Sequence, residues 1–532
     1  MANELPKGWI RSCIGEVCAE INSGSGFPKQ HQGKSTGDYP FAKVGDISRH
    51  FRSGLKTIES ADNYISEKIR IQIKGKAFPK GSIVFPKIGE ALKGNYRVIT
   101  DCEMLFDNNV MGVTPHTKFI DKKYIFYYLT TQDFGKFSVA TAVPSIRRGD
   151  IEAIEVLLPP LNEQKRIVAK IEELFSELEN GIAALKTARE QLKVYRQAVL
   201  KHAFEGKLTE QWRKDNADKL ESPEQLLARI QQERETRYQQ QLEDWKAAVK
   251  TWEANGKEGK KPGKPRENKY DIELGKEEEK DLPKLPNSWM WVALNELISG
   301  LPRAMQSGPF GSNLKHSEFS SVGKLVIGID NVKDGYFTIG SGNRISDAKF
   351  AELEKYEARP GDLLVTVMAS LGRTCVVPRD IEQAIITKHV YRISMEQHLL
   401  YPEFYNYLLQ SHTVSRLRMF ENAQGQTRLG LNSTILKELP VPLCQLEEQK
   451  LIVDYIEEKL NSITNFDNEI DNALKRAETL RQSILKKAFS GQLVPQDPND
   501  EPASELLARI QAEKAASGAK SSKTSAKRGC SV

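Results

Sequence analysis

NEQKRIVAKIEELFSELENGIAALKTAREQLKVYRQAVLKHAF, residues Asn162 to Phe204, decides the architecture. Its seam falls at Ile167, Ile171, Leu174, Leu178, Gly181, Leu185, Ala188, Leu192, Tyr195 and Val199, with spacings that alternate four and three. A stripe of that period kept through more than four repeats predicts a coiled-coil helix, since an ordinary surface helix seldom holds one seam so long. A second stripe runs Ile452, Ile456, Lys459, Ile463, Phe466, Ile470, Ala473, Ala477, Leu480, Ile484. Each is expected to bury itself against the other as a rod of some 40 residues, about 60 Å long at 1.5 Å rise per residue. Each helix follows a globular segment, so antiparallel pairing would set two globular units at opposite ends of the rod. Gly181 and Phe466, both near the middle of their stripes, are expected to meet as a gap and its filler.

Outward from the helices the chain repeats itself. LPKGW (Leu5 to Trp9) recurs as LPNSW (Leu285 to Trp289), and PKGSIVF (Pro79 to Phe85) has a counterpart in RPGDLLV (Arg359 to Val365), both at an offset of 280 residues. Glu163-Gln164-Lys165 matches Glu448-Gln449-Lys450, and LKHAFEGKL (Leu200 to Leu208) matches LKKAFSGQL (Leu485 to Leu493), now 285 apart. Residues 10 to 155 and 290 to 437 share little beyond a few glycines and strand cores. A duplicated frame with two divergent inserts implies one task performed on two targets. The expected fold is α/β, a pseudo-twofold tandem repeat of two globular domains separated by an antiparallel two-helix coiled coil. The predicted boundaries are 1–157 and 285–440 for the globular domains, and 158–208 and 441–493 for the long helices. Residues 209–284 read as a charged helix followed by a flexible linker, a hinge between the halves. Residues 494–532 read as a helix, where LLARIQ returns at Leu506 to Gln511, and a basic disordered tail with Lys514, Lys520, Lys523, Lys527 and Arg528.

Composition narrows the class. A chain of 532 residues exceeds what one hydrophobic core organises. With 39% apolar and 28% charged residues it buries real cores and carries long solvated faces. The six cysteines, Cys13, Cys18, Cys102, Cys375, Cys444 and Cys530, are scattered without CxxC pairs, as expected of reduced thiols in the cytoplasm. MANELPKGWIRSC lacks an apolar signal core, and no segment approaches the roughly 20 apolar residues of a membrane span. A net charge of +6 suits a polyanion but is too small to identify one.

The chain resembles, over essentially its whole length, the specificity subunit of a type I restriction-modification system. The resemblance is carried by LPKGW and LPNSW, by GSGFPKQHQGKSTGDYPFAKVGDIS (Gly24 to Ser48) and by SGPFGSNLK (Ser307 to Lys315). LLPPLNEQKRIV (Leu157 to Val168) and LPVPLCQLEEQKLIV (Leu439 to Val453) complete it at the entries to the helices. It implies two target-recognition domains, each reading one half of a split, asymmetric site on double-stranded DNA. It also implies partners: two modification subunits that bind S-adenosylmethionine and methylate adenine, and two restriction subunits driven by ATP with magnesium. The helix from Leu226 to Trp252 and its linker are longer than the family minimum.

Catalytic signatures are not met. Gly33-Lys34-Ser35 resembles the end of a phosphate-binding loop, but the glycine needed five residues earlier is Pro28. Glu163 and Glu448 stand in first helical turns, where acidic residues are usually dipole partners. No Asn/Asp-Pro-Pro-aromatic tetrad for amino methylation is present, and the eight histidines form no metal set. No catalytic residue, metal site or bound cofactor is therefore expected of this chain. DNA reading needs Arg and Lys for phosphates and guanine edges, and Asn and Gln for adenine edges. The candidates in the first domain are Lys29, Gln30, Lys34, Lys87, Lys93, Arg147 and Arg148. In the second they are Arg303, Asn313, Lys315, Arg373, Lys388, Gln426, Arg428 and Asn432. Two rival readings are a coiled-coil scaffold whose globular ends bind proteins and a self-contained nuclease; steep salt dependence of DNA retention and the absence of unaided cleavage would separate them from the first.

Overall fold

The computed structural model describes residues 5–137, 144–265, 267, 270, 272–340, 342–411, 413–423 and 430–527. Two compact units emerge, Met1–Lys186 with Asp471–Val532, and Thr187–Ile470. The long helices, Leu161–Phe204 and Leu446–Phe489, are each 44 residues and each passes from one unit to the other along its length. Within the first unit Glu179 meets Arg481 at 3.5 Å, and within the second Arg189 meets Asp467 at 2.8 Å. As residue numbers rise along one helix they fall along the other, so the pairing is antiparallel.

Burial follows one row of each stripe. Ile456, Ile463, Ile470, Ala477 and Ile484, seven residues apart, are all buried, while Phe466 and Leu480 on the alternate row are 56% and 51% exposed. On the first helix Ile167, Ile171 and Val199 are buried and Leu178, Leu185 and Leu192 half-buried, whereas Tyr195 is exposed. The sequence reading placed Phe466 and Leu480 in the seam, and the structure turns both outward. The alternate row is fully buried only at the helix starts, where Ile167 and Ile452 belong to the domain cores. The expected packing at Gly181 also fails, because a Cβ built there meets nothing within 4 Å.

The repeated motifs weld each helix to its domain. The Trp9 indole N–H donates to Glu163 at 3.0 Å, and the Trp289 indole donates to Glu448 at 2.8 Å. Gln164 accepts from the Asp121 backbone N–H and donates to the Pro159 carbonyl, both at 2.9 Å. Gln449 does the same with Tyr401 and Cys444, at 2.8 and 2.6 Å. Both glutamates are buried, so they are indole acceptors in the core rather than solvated dipole partners. The two sites differ in charge balance. The second carboxylate oxygen of Glu448 takes the Thr209 hydroxyl at 2.7 Å and the Arg213 guanidinium at 2.5 Å. The second oxygen of Glu163 has no hydrogen-bond partner among the described residues.

Each divergent insert is clipped at its ends by a two-stranded antiparallel ribbon. Ile10–Cys13 pairs with Glu155–Leu158, and Met290–Ala293 pairs with Pro440–Leu443 in the same register, Ile10 opposite Leu158 and Met290 opposite Leu443. Inside the first unit a five-stranded sheet runs in the order Cys18–Ser23, Val110–Pro115, Ile83–Pro86, Val98–Thr100, Thr57–Ile58. The second unit has Met305–Ser307, Val390–Ile393, Leu363–Thr366, Thr374–Val376 in the equivalent order. The first four strands correspond one to one, and Thr57–Ile58 is an additional edge strand of the first sheet. A smaller sheet lies beside each, three-stranded in the first unit around Tyr39–Ala42 and four-stranded in the second around Lys324–Ile327.

The two copies of LLARIQ cap these cores. Ser222 caps helix Pro223–Ala254, on which Leu226, Ile230 and Arg234 are buried in the second unit, and the Arg234 Nε donates to the Ile298 carbonyl at 2.7 Å. The stretch read as a hinge is thus part of that unit. The return segment read as a flexible linker is tied to it as well: Tyr270 donates to the Ser299 carbonyl, Asn295 to the Ile272 carbonyl, and Trp245 to the Pro262 carbonyl. On helix Ala503–Lys527, Leu506 and Ile510 are buried in the first unit, and Lys514 donates to the carbonyls of Gly15 and Glu16. Lys514, Lys520, Lys523 and Lys527, read as part of a disordered tail, fall within this helix, and Arg528 lies outside the described residues.

Two substitutions at the helix starts should behave oppositely. Burial holds the Glu163 carboxyl above its usual range, against the indole bond and Arg166, which lower it. A raised folded-state pKa contributes stability below the ordinary carboxylate value that is lost as pH rises through the folded value, so ionised Glu163 weakens the first unit at neutrality. Glu163→Gln should therefore change neutral-pH stability by no more than about 1 kcal/mol, in the favourable direction, and abolish the gain on acidification. Glu448→Gln, which removes the charge facing Arg213, should cost about 3 kcal/mol. Scanning calorimetry between about pH 5 and 8 reads both. At Gly181, Ala should raise stability by up to about 1 kcal/mol, since it restores helix propensity in open space; a fall in melting temperature would show that the position is packed.

Candidate nucleic-acid interface

One edge of each main sheet gathers loops from distant parts of the chain. In the first unit the Gly24 N–H donates to the Val110 carbonyl at 2.9 Å, where the first strand ends and the last begins. The Lys87 N–H, just past the middle strand, donates to the Asn109 carbonyl at 2.8 Å, and the Lys87 carbonyl accepts from Ile146 at 2.9 Å. The second unit repeats two of these bonds: Val367 donates to the His389 carbonyl at 2.9 Å, and Leu431 donates to the Val367 carbonyl at 3.1 Å. The third differs, since Gly308 donates at 3.3 Å to the carbonyl of Thr387, the counterpart of Asp107 rather than of Val110. The two edges thus share part of their main-chain frame, while the side chains they present are different.

In the first unit this edge brings together Lys87, Arg147 and Arg148. The Lys87 ammonium reaches the Ser23 hydroxyl at 3.1 Å. Arg147 opens helix Arg148–Glu152, its N–H donating to the Asp150 carboxylate at 2.9 Å, and its side chain is exposed. Arg148 pairs with Glu152 at 2.7 Å, and Lys93, a few residues past Lys87, pairs with Glu90 at 2.8 Å. Such exposed pairs are worth about 0–1 kcal/mol, so a phosphate can displace them at little cost. Lys29, Gln30 and Lys34 lie on the neighbouring segment, which is anchored on the smaller sheet by Phe27 stacked on Phe41 at 3.8 Å. All three are exposed, and no hydrogen bond or ion pair ties them to Lys87 or Arg147 among the described residues.

In the second unit Lys388 stands in the turn before the last strand, and Arg373 faces Thr366 across the sheet, donating its N–H to the Thr366 hydroxyl at 3.0 Å. Asn432 takes the place that Arg147 has in the first unit, capping helix Ser433–Lys437 by accepting from the Ile435 N–H at 2.9 Å. Its amide nitrogen remains available to an acceptor. Asn313 and Lys315 lie on the exposed loop after the first strand. Arg303 is not with them: it precedes the first strand at the opposite end of the sheet, in a left-handed turn with φ 53°, and its carbonyl accepts from Arg392. Gln426 and Arg428 lie outside the described residues.

The sequence reading passed over Ser23, Asn109 and His389, which shape these edges. Asn109 and His389 each precede the last strand at an offset of 280 residues, a signal that the divergent inserts conceal. Lys87, Arg147 and Arg148 on the first edge and Arg373 and Lys388 on the second supply positive charge, and burial shifts two groups beside them. Burial lowers the affinity of the His389 ring for a proton, and Lys388 lowers it further. Burial raises the Asp107 carboxyl above its usual range, partly offset by the Asn109 N–H. Among the described residues no group of His, Cys, Asp and Glu is placed to hold a metal ion, and no helix is long and apolar enough to cross a membrane. Flexible cations, amides and hydroxyls carried on a bonded backbone frame suit the recognition of a polyanion with an ordered edge of donors and acceptors.

Comparison with known proteins agrees. The model of the type I restriction modification DNA specificity domain matches residues 6–186 and 315–476. The EcoBI type I restriction enzyme specificity subunit of Escherichia coli is 25% identical over 96% of this chain and 94% of its own length. In fold, the chain is similar to the HsdS subunit of Thermoanaerobacter tengcongensis, with a TM-score of 0.53 at 18% identity, covering 92% of this chain and 99% of that one. A chain from work on complex assembly and conformational transition of the type I R-M system gives 0.57 at 17% identity, covering 92% and 100%. The protein thus belongs to the family of the type I restriction modification DNA specificity domain, and its role is to confer DNA sequence specificity.

Proposed function

We propose that this chain reads a bipartite, asymmetric site on double-stranded DNA, one half with each unit, and itself performs no chemistry. The observation that carries this reading is the sheet edge built twice around two equivalent pairs of backbone bonds, with different side chains on each copy. A shared frame supports a similar mode of docking, and different side chains support different base sequences. The paired helices hold the two contacts in register, so their length sets the unread spacer. In this reading the chain directs partner subunits: two modification subunits that methylate adenine with S-adenosylmethionine, and two restriction subunits that translocate and cleave with ATP and magnesium. The chain binds none of these cofactors, and the complex works in the cytoplasm. The outward row of the long helices supports docking of partners, since Phe466, Leu480, Val194 and Tyr195 leave 49–66% of their surface exposed, more than a helix pair without partners needs to show.

Methylation mapping in cells carrying the system should find a split adenine-methylated motif. Exchanging residues 10 to 155 for those of another family member should change one half of the motif only, and removing matched heptads from both helices should shorten the gap. A motif whose two halves both change, or a gap that stays constant, would sink this reading. In binding assays Arg147→Ala should lower affinity and reduce the slope of log K against log salt by about 1, as expected for one lost phosphate contact.

A further inference from the structure

The recognition edge of the second unit displays two apolar side chains that the described residues leave uncovered. Phe310 is 62% exposed and Met368 37%. Neither stands on a slack loop. The base of the Phe310 loop is pinned at Gly308, where a Cβ would come within 2.1 Å of the Ile386 carbonyl oxygen, and Pro309 above it is buried. Met368 precedes Ala369, which holds φ 63°, a left-handed conformation that disfavours any side chain. Gly89 takes φ 79° at the matching place in the first unit, so the frame demands this turn and alanine accepts the strain. In the first unit the aromatic of the corresponding loop is tucked away, Phe27 stacking on Phe41. The outward aromatic is therefore a property of the second unit's own sequence, not of the frame.

The surroundings select the partner. Lys315 follows Phe310 on the same exposed loop, Arg373 closes on Thr366 the turn that carries Met368, and Lys388 adjoins Thr387, whose carbonyl accepts from Gly308 at the base of the Phe310 loop; none of the three has an ion pair among the described residues, which suits contact with a polyanion more than with an apolar protein surface. Cations at the margin meet phosphates; the apolar centre needs an apolar group on a base edge. In the major groove that group is the 5-methyl of thymine. We propose that Phe310 and Met368 read thymine methyl groups in the half-site bound by the second unit. This rests on the DNA-reading function above and assigns to it a base and two residues.

The test uses the full chain in complex with its modification subunits and duplexes carrying the mapped motif, with each thymine of either half replaced in turn by deoxyuridine, which lacks only the methyl. The wild-type complex should lose about fourfold in affinity at one or two positions of the second half-site, the effect of losing the burial of one methyl group. Phe310→Ala should bind the thymine and uracil duplexes equally at one such position, Met368→Ala at the same or the adjacent one, and Phe310→Leu should recover part of the discrimination. The proposal falls if the second half-site contains no thymine, if wild type ignores the replacement, or if Phe310→Ala discriminates as well as wild type. It also falls if Phe310→Ala releases the modification subunits while discrimination survives, which would make the patch a protein contact. Failure of the wild-type complex to prefer its mapped motif over unrelated duplex would instead overturn the DNA-reading function itself.

Discussion

The bond between a tryptophan indole and a buried glutamate at the start of each long helix is the constraint on which the remainder of the structure depends. Trp9 and Trp289 come from the first strand region of each domain, Glu163 and Glu448 from the first turn of the helix that follows it, some 150 residues later. A buried carboxylate is costly unless hydrogen-bonded, and a buried indole N–H wants an acceptor. The indole N–H finds its acceptor at both joints, and only Glu448 is bonded at both oxygens, Glu163 keeping one without a partner among the described residues; the entry direction of each helix is thereby coupled to the ends of its domain. The neighbouring glutamines bond the backbone ahead of the helix and the start of a second domain helix, and so remove the remaining freedom. On the proposed reading, a domain that reads one half of a site and a helix that sets the spacing to the other need a firm joint, and these residues supply one within each unit. That the motif pair recurs while the inserts diverge follows from this: the joint is common to any target, the edge is not.

Much of this was legible because it is periodic or repeated. The seven-residue spacing announced the long helices, and the offsets of 280 and 285 residues announced the duplicated frame, down to the ribbons that clip each insert. What periodicity could not tell is which of two apolar rows faces the partner helix. Phe466 and Leu480 fit the pattern as well as Ile463 and Ile470 do, yet in the folded chain the first two are exposed and the others buried. Composition misled at the segment after Phe204 in the same way. Its charges suggested a free hinge, yet Leu226, Ile230 and the stem of Arg234 form one buried face, and a helix needs only that face to dock.

The recognition edge was legible in part. Lys87, Arg147 and Lys388 could be chosen because cations among glycines and loop residues are the usual instruments of DNA contact, and the fold does bring them to the strand ends. Arg303 carries the same local signal, an exposed arginine in a turn, and stands at the far end of its sheet. Which strand end a residue occupies is decided by topology, a quantity that local composition does not contain. Phe310 and Met368 were invisible for the complementary reason, that an apolar residue in a sequence is assigned to the core by default.

The two copies of LLARIQ show how a tandem repeat closes on itself without a third copy. The first copy lies between the halves in sequence and caps the core of the second unit; the second lies at the far end of the chain and caps the first. Each domain is therefore finished by the helix that follows the other domain's coil, through the same apolar pair, Leu226 with Ile230 and Leu506 with Ile510. Neither half of the chain is complete as cut from the sequence. Because Lys514 reaches the carbonyls of Gly15 and Glu16, the last helix is bonded to the first domain, and the order of segments along the chain matters less than their pairing. Divergence can then concentrate at the recognition edges, where a changed side chain alters what is read without disturbing the bonds that hold the edge in place.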